Sequence, residues 1–239
     1  MAYLGGKAKC ADHILRVLND PQYNNYDYIE PFVGYAHILR RVENKKSYTA
    51  SDNNKYLIAL LNHNKHYANA HCTITKEEYA VLRDNRDADV LRTAYAAFTY
   101  SYNGKFFGGF VGNYEKHDYA AERKRYYDKL YKNAIIQQSS FSWCEYSAYT
   151  DVSGALIYCD PPYACTTKYH VSFDSSAFWE WVRILSKKNV VFVSEYTAPD
   201  DFECIAEKEK HVSVGGKCRS IRIERLWKYR DRGVLASQG

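Results

Sequence analysis

The stretch Ala155-Leu156-Ile157-Tyr158-Cys159-Asp160-Pro161-Pro162-Tyr163 is the strongest structural signal in the chain. Its first five residues form an apolar run, which is typical of a strand buried on both faces of a parallel sheet. In open α/β sheets, ligand-binding groups follow the carboxyl ends of strands, and Asp160 stands at such a place. The two prolines fix the backbone, so the Asp160 carboxylate and the Pro161 carbonyl become neighbouring acceptors beside the Tyr163 ring. Two acceptors beside a flat ring suit a planar exocyclic amine.

A second turn, Glu30-Pro31-Phe32-Val33-Gly34, follows a predicted strand and precedes a predicted helix. A glycine there lets the backbone approach a ligand at a helix N-terminus. Asp52 ends the next predicted strand, 18 residues after Gly34. An acidic residue about 20 residues after a glycine turn is typical of binding to a ribose hydroxyl. Together the two features favour an adenosine-containing cofactor. The segment Tyr3-Leu4-Gly5-Gly6-Lys7 lacks the spacing of a Walker loop.

The order of elements predicts a doubly wound α/β sheet that is interrupted once. Predicted strands cover Tyr26–Glu30, Ser47–Ser51, Ala134–Ser140, Ala155–Cys159 and Asn189–Ser194, with a terminal hairpin over about Lys210–Trp227. Predicted helices cover residues 8–19, Ala36–Glu43, Asn54–His63, Ala88–Ser101, Asp118–Asn133 and Ser176–Lys187, and a further one opens at Thr75. The Gly/aromatic stretch Tyr102–Gly112 is expected to be a hairpin or an ordered loop. We therefore expect residues 1–65 and 134–239 to form one α/β domain and residues 66–133 to form an inserted, mostly helical lobe.

Composition limits the class of protein. The chain has 239 residues, 46% hydrophobic and 26% charged, with a mean hydropathy of −0.55 and no apolar run long enough for a membrane span. The N-terminus lacks the apolar region of a secretory signal. Seven cysteines without a Cys-x-x-Cys pair exclude a disulfide framework and a zinc ribbon, and favour a reduced cytoplasmic compartment. His63 and His66 lack a carboxylate at metal-site spacing. The net charge of +5 is compatible with a polyanion partner.

These motifs, in this order, resemble the alpha group of the Dam-type DNA adenine methyltransferases. The resemblance covers nearly the whole chain and continues in Ser194-Glu195-Tyr196 and in the basic tail with Glu224. It implies a Rossmann-like methyltransferase sheet, mostly parallel with an antiparallel terminal hairpin, helices on both faces and an inserted target-recognition lobe. It also implies S-adenosyl-L-methionine as the methyl donor, S-adenosyl-L-homocysteine as the product, and no metal.

The resemblance assigns roles to particular residues. The expected cofactor-binding residues are Tyr3, Gly6, Lys7, Glu30, Pro31, Phe32, Gly34, Asp52, Asn53 and Asp160. The expected catalytic residues are Asp160, Pro161, Pro162 and Tyr163, which would act on the N6 amine of a flipped-out adenine. One position departs from the family, which usually has a second glycine two residues after the first, where this chain has Ala36. Alanine is tolerable there if its φ is negative and costly if its φ is positive.

The inserted lobe and the tail supply the expected DNA surface. Residues 105–132 include seven Lys/Arg and four Asp/Glu, with tyrosines between them. This mixture suits contact with phosphates and stacking on bases. The candidate DNA-binding residues are Asn103, Lys105, Lys116, Arg123, Lys124, Arg125, Lys217 and Arg219. The stretch Asn103–Phe107 resembles the family's recognition loop but lacks the arginine-bearing segment with which GATC-specific relatives read guanine. We therefore expect a shorter, degenerate or absent target sequence.

Other functions are excluded or left open. Methylation at cytosine C5 needs a Pro-Cys nucleophile, and none of the five prolines precedes a cysteine. Protein-glutamine and RNA methyltransferases usually carry Asn in place of Asp160. Cytosine-N4 methylation remains an alternative, although such enzymes usually have Ser there. A catalytically impaired DNA-binding relic is the alternative that Ala36 suggests. The expected partner is DNA without a membrane, and the expected state is a monomer or weak dimer, in a restriction–modification system or as an orphan enzyme.

Overall fold

The computed structural model of the chain describes residue 7 and residues 11–66, 73–112, 119–162, 173–214 and 218–230. The strands are β1 (Asp27–Glu30), β2 (Ser47–Asp52), β3 (Ser140–Trp143), β4 (Ala155–Cys159), β5 (Val190–Glu195), β6 (Phe202–Val214) and β7 (Cys218–Tyr229). The α-helices are α1 (Ala11–Leu18), α2 (Lys55–His66), α3 (Lys76–Asp84), α4 (Val90–Ala94), α5 (Tyr119–Tyr131), α6 (Ala134–Gln138) and α7 (Ser175–Ser186). None of these helices is long and apolar enough to cross a membrane.

The strands form one seven-stranded sheet in the order β3-β2-β1-β4-β5-β7-β6. Strands β1 to β5 pair in parallel, whereas β7 runs antiparallel to both β5 and β6. The sheet is therefore mostly parallel with an antiparallel terminal hairpin, which confirms the predicted fold class. The strand Ala155–Cys159 has the predicted bounds and lies at the centre of the sheet.

Alternate residues of the central strands face two separate hydrophobic layers. In β4, Leu156 and Tyr158 join the layer that includes α1 and α2, whereas Ile157 and Cys159 join the layer built on α7. This alternation is the period of two that a strand imposes on its side chains. Because both faces are covered, every residue of β4 is buried, which explains its continuous apolar sequence.

The predicted helix over Ala36–Glu43 is wrong. After β1 the chain forms turns and then only one 3₁₀ turn, Leu39–Arg41. Gly34 and Ala36 have φ angles of +49° and +53°, which are incompatible with a right-handed helix. The apolar spacing of this segment therefore reflects the packing of an irregular connection against the hydrophobic core.

The predicted strand over Ala134–Ser140 is also wrong. Residues 134–138 form α6, and β3 begins only at Ser140. The side chain of Asn133 accepts a hydrogen bond from the backbone N–H of Ile136, so it caps the helix N-terminus. The predicted helix over Ala88–Ser101 divides into α4 and a π-helical turn at Tyr95–Thr99, closed by a bond from the Tyr100 N–H to the Tyr95 carbonyl.

The segment between α2 and β3 packs against α2. The ring of Tyr95 meets His63 edge to face at 5.9 Å, and the ring of Phe106 lies 5.3 Å from Tyr56. The Tyr102–Gly112 stretch is an ordered loop, with a 3₁₀ turn at its start and an isolated bridge between Ser101 and Phe110. Because α2 begins beside Asp52, this loop lies near the carboxyl end of β2.

Candidate active site

Four acidic residues lie at the carboxyl ends of four neighbouring strands. Asp52 ends β2, Glu30 ends β1, Asp160 directly follows β4, and Glu195 ends β5. These strands are parallel and adjacent in the order β2-β1-β4-β5, so their carboxyl ends meet at one edge of the sheet. The topology thus brings together the three acids that the sequence motifs assign to one site, together with Glu195.

Lys7 joins Asp160 to the last strand. Its Nζ atom lies 3.0 Å from Oδ1 of Asp160 and 3.3 Å from Oε2 of Glu224 on β7. Lys7 and Glu224 are only 3% and 2% exposed, so this is a largely buried network. Separating a buried ion pair leaves an uncompensated charge away from water, so the two partners stay in contact. Residues 217 positions apart in the sequence therefore hold one oxygen of Asp160 in place.

Glu30, at the end of β1, is also buried. Its Oε2 atom accepts a hydrogen bond of 2.7 Å from the hydroxyl of Tyr28. Burial, assisted by the charge of Asp160, raises the pKa of Glu30 well above its ordinary value. Glu30 therefore favours the protonated form more than an exposed glutamate does.

Asp52 is tied to the turn that follows β1. The backbone N–H of Gly34 donates to its Oδ2 atom over 3.1 Å, and the N–H of Asn54 donates to Oδ1 over 2.9 Å. Burial raises the pKa of Asp52 to about 6, although the two backbone N–H groups favour the ionised form. These two hydrogen bonds fix the Asp52 carboxylate at the end of β2, next to the turn that contains Gly34.

The turn after β1 contains two residues in the left-handed region. Gly34 adopts this conformation without steric cost, but Ala36 has a φ of +53° and a Cβ atom that opposes it. The departure from the family pattern therefore falls at a position that requires positive φ. The N–H of Ala36 still closes the turn by donating to the Val33 carbonyl over 2.8 Å.

Aromatic contacts fix the residues next to the acids. The ring of Phe32 stacks on Tyr146 at 5.5 Å and meets Phe178 edge to face at 5.7 Å. Asn53 accepts a hydrogen bond of 3.1 Å at its backbone carbonyl from the indole N–H of Trp143. Trp143 is 63% exposed, and sequence reasoning missed it because the strand predicted there ends at Ser140, before Trp143.

The expected catalytic and cofactor-binding residues are only partly described. Lys7, Glu30, Pro31, Phe32, Gly34, Asp52, Asn53, Asp160, Pro161 and Pro162 lie at the carboxyl edge of the sheet or next to it. Tyr3, Gly6 and Tyr163 lie outside the described residues. Within the described parts of the chain, no group of His, Cys, Asp and Glu is arranged to hold a metal ion.

The expected DNA-binding residues fall on the loop, on α5 and on the terminal hairpin. Lys105 and Arg125 are exposed. Arg125 also lines a surface groove of about 390 Å³ together with Asp128, Lys129, Lys132 and Asn133. Asn103, Arg123, Lys124 and Arg219 are placed by their backbone only, and Lys116 and Lys217 lie outside the described residues.

Basic and aromatic side chains surround the loop near α2. The guanidinium of Arg86 lies 5.5 Å from the ring centroid of Phe106 and 5.6 Å from that of Phe107. The hydroxyl of Tyr56, in the first turn of α2, donates to Asp87 over 2.7 Å. These contacts hold the loop that carries Lys105 close to the end of β2, and hence close to Asp52.

The sheet order, with a reversed β7 between β5 and β6, is that of the Rossmann-like methyltransferases. The family model of the D12 class of N6 adenine-specific DNA methyltransferases matches residues 3–68 and 62–188, which is more than half of the chain. The chain therefore belongs to this enzyme family, which confirms the resemblance seen in its motifs. Membership supports S-adenosylmethionine as the methyl donor and DNA as the substrate.

Comparison with solved structures finds methyltransferases at low identity. The rRNA methyltransferase AviRa from Streptomyces viridochromogenes is 12% identical, with a TM-score of 0.41, over 92% of this chain and 84% of that one. A putative RNA methyltransferase from Pyrococcus horikoshii is 9% identical, with a TM-score of 0.42, over 92% and 81%. A putative methyltransferase from Escherichia coli, yhhF, is 8% identical, with a TM-score of 0.39, over 93% and 86%. A comparison with curated proteins finds no match.

Proposed function

We propose that the protein transfers a methyl group from S-adenosylmethionine to the N6 amine of an adenine flipped out of DNA, and that Asp160 and Pro161 position that amine. The observation that carries this proposal is the pairing of Asp160 with Lys7 at the end of β4, beside the rigid Pro161-Pro162 backbone. Family membership supports the adenine-N6 reaction, and the flipped base follows because the amine of a stacked base is inaccessible to an enclosed site.

The edge formed by β1 and β2 fits the methyl donor. Asp52 is a partly buried carboxylate, oriented by two backbone N–H groups, at the end of the second strand, which suits the hydroxyls of a ribose. Gly34 allows close approach of the backbone, while Glu30 and Phe32 line the end of β1 next to Asp160. The proposed cofactor set is completed by Lys7, Pro31, Asn53 and Asp160, and by Tyr3 and Gly6 outside the described residues. When bound, S-adenosylmethionine supplies a methyl group attached to a positively charged sulfur.

The chain's own residues would activate the amine by position. The adenine N6 lone pair is delocalised into the ring, so the nitrogen is a poor nucleophile. Acceptance of its two hydrogens by Asp160 and by the Pro161 carbonyl would favour a tetrahedral nitrogen whose lone pair points away from the ring. Because Lys7 contacts Oδ1 of Asp160, we assign the amine contact to Oδ2. Methyl transfer would use the nitrogen lone pair for the new N–C bond and leave the former C–S electron pair on sulfur, and the proton that the methylated amine loses would pass through the Asp160 carboxylate to water.

The lobe over residues 66–133 is the proposed DNA-recognition unit. Its loop carries Lys105, its helix α5 carries Arg125, and both side chains are exposed. We propose a relaxed or degenerate target sequence, because the loop lacks the arginine-bearing segment of GATC-specific relatives. We propose a cytoplasmic location.

Nucleoside mass spectrometry tests the proposed reaction. Unmethylated plasmid is incubated with the protein and isotopically labelled S-adenosylmethionine, and the DNA is digested to nucleosides. Labelled N6-methyladenine is the expected product. Labelled N4-methylcytosine would favour the cytosine alternative, and absence of label despite cofactor binding would favour the DNA-binding relic.

A further inference from the structure

Helix α5 of the lobe touches the cofactor turn directly. We propose that Tyr126 is a positioning residue for cofactor binding, whose hydroxyl holds the Tyr35 carbonyl and so keeps the turn after β1 in the shape that sets Gly34 against Asp52. This inference rests on the proposed function, because the turn matters only if it binds S-adenosylmethionine. It makes cofactor affinity depend on a residue of the DNA-recognition lobe.

The contact is direct and buried. The Tyr126 hydroxyl donates to the Tyr35 carbonyl over 3.2 Å, and the two ring centroids are 5.8 Å apart. Tyr126 is 6% exposed and Tyr35 is 3% exposed. Burial raises the pKa of Tyr126, so its hydroxyl keeps the proton that it donates.

The position of the acceptor gives this bond its effect. The Tyr35 carbonyl belongs to the peptide group whose N–H is that of Ala36, and Ala36 has a φ of +53°. Relaxing Ala36 to a negative φ requires this peptide group to rotate, which would break the bond from Tyr126. It would also break the bond from the Ala36 N–H to the Val33 carbonyl. The lobe therefore restrains the one peptide group on which the unfavourable conformation depends.

Two further contacts, one from α5 and one from the residue that caps α6, reach the same connection. The guanidinium of Arg40 lies 6.0 Å from the ring centroid of Tyr126, and the side chain of Asn133 donates to the Arg40 carbonyl over 2.9 Å. The ring of Phe98, from the π-helical turn of the lobe, meets Tyr35 edge to face at 5.8 Å. The connection between β1 and β2 is thus packed against the lobe at several points. Tyr126 donates a hydrogen bond to the turn at the start of this connection.

The test uses Tyr126→Phe, which keeps the ring and removes only the hydroxyl. Its matched control is Tyr127→Phe, the next residue on α5, which is also buried but whose hydroxyl bonds to Thr99 inside the lobe. We expect Tyr126→Phe to weaken S-adenosylmethionine binding at least fivefold by calorimetry, and Tyr127→Phe to change it less than twofold. Thermal unfolding of both variants monitors folding.

A second background separates positioning from general destabilisation. In Ala36→Gly the turn tolerates positive φ without restraint, so Tyr126→Phe should then weaken binding less than twofold. Equal losses in both backgrounds, equal losses for the two tyrosine variants, or wild-type affinity in Tyr126→Phe would each overturn the positioning role. If the wild-type protein itself fails to bind S-adenosylmethionine, the proposed function fails, and this inference fails with it.

Discussion

The backbone N–H of Gly34 donates to the Oδ2 atom of Asp52 over 3.1 Å, joining the turn after β1 to the end of β2. The turn and the carboxylate therefore form one unit, in which the left-handed Gly34 orients the side chain proposed to bind ribose. This unit makes cofactor affinity sensitive to the charge of Asp52, to the conformation of Ala36 and to the contact from Tyr126.

Replacing Asp52 with Asn should weaken S-adenosylmethionine binding at least tenfold at pH 7.5, about 1.4 kcal/mol. The ionised carboxylate accepts hydrogen bonds from the ribose while its backbone donors hold it in place, and an amide offers only one oxygen. Because burial raises the pKa of Asp52 to about 6, wild-type affinity should fall as the pH drops from 7.5 to 5. Calorimetry across this range should show a smaller pH dependence in Asp52→Asn.

The same pKa has a consequence for stability. The folded state binds the Asp52 proton more tightly than the unfolded state does, so lowering the pH from 6 towards 4 favours folding through this group. The unfolding free energy of wild type relative to that of Asp52→Asn should therefore increase as the pH falls from 6 towards 4. A constant difference from pH 7 to pH 4 would contradict the raised pKa.

Replacing Ala36 with Gly should raise the free energy of unfolding by about 0.5–1 kcal/mol, because relief of the steric cost of positive φ outweighs the added entropy of the unfolded chain. The midpoint of thermal unfolding should rise by about 1–4 °C. Ala94→Gly is the matched control, since Ala94 has a helical φ of −61° and is also buried. The free energy of unfolding of Ala94→Gly should fall by about 1 kcal/mol. A loss of stability in Ala36→Gly would contradict the assigned conformation.

Replacing Glu224 with Gln should lower kcat for methyl transfer at least tenfold while the dissociation constant for DNA changes less than threefold. Glu224 holds Lys7 against Asp160, so its charge supports the orientation of the carboxylate that receives the amine. Glu207→Gln makes the same charge change at a more exposed position on the same hairpin and should retain wild-type kcat. Steady-state and single-turnover kinetics measure the effect, and equal kcat values for the two variants would exclude a role for Glu224.

Replacing Lys105 or Arg125 with Ala should weaken DNA binding and reduce the slope of log affinity against log salt by about 0.9 for each phosphate that the side chain neutralises. Both side chains are exposed on the lobe. Lys187→Ala, at an exposed lysine just after α7, removes the same charge elsewhere and should leave the slope unchanged. Fluorescence anisotropy over a salt series provides the measurement. Unchanged slopes in both the Lys105 and the Arg125 variants would show that these side chains do not contact DNA phosphates.

Local sequence predicts the sheet well where one strong signal dominates. The apolar run of β4 determines its bounds, and the alternating pattern around Gly215-Gly216 predicts the terminal hairpin that β6 and β7 form. The helix predicted after Gly34 is wrong because apolar spacing does not reveal that Gly34 and Ala36 adopt positive φ angles. The strand predicted over Ala134–Ser140 misses a cap formed by Asn133, whose amide also binds the distant Arg40 carbonyl.

In the candidate site too, some features follow from local sequence and others depend on the fold. Glu30, Asp52 and Asp160 follow predicted strands, so the sequence indicates that they meet at one edge. The pairing of Lys7 with Glu224 and the contact of Trp143 with Asn53 join residues 217 and 90 positions apart. Such contacts depend on strand order and on the placement of the reversed β7, which local patterns do not specify.

The proposed role of Asp160 is tested by comparing wild type with Asp160→Ala in the plasmid methylation assay, read by nucleoside mass spectrometry. Asp151→Ala, at an exposed acid before β4, controls for loss of a charge. We expect labelled N6-methyladenine from wild type and from Asp151→Ala, and none above background from a folded Asp160→Ala. Wild-type levels of N6-methyladenine from Asp160→Ala would contradict it.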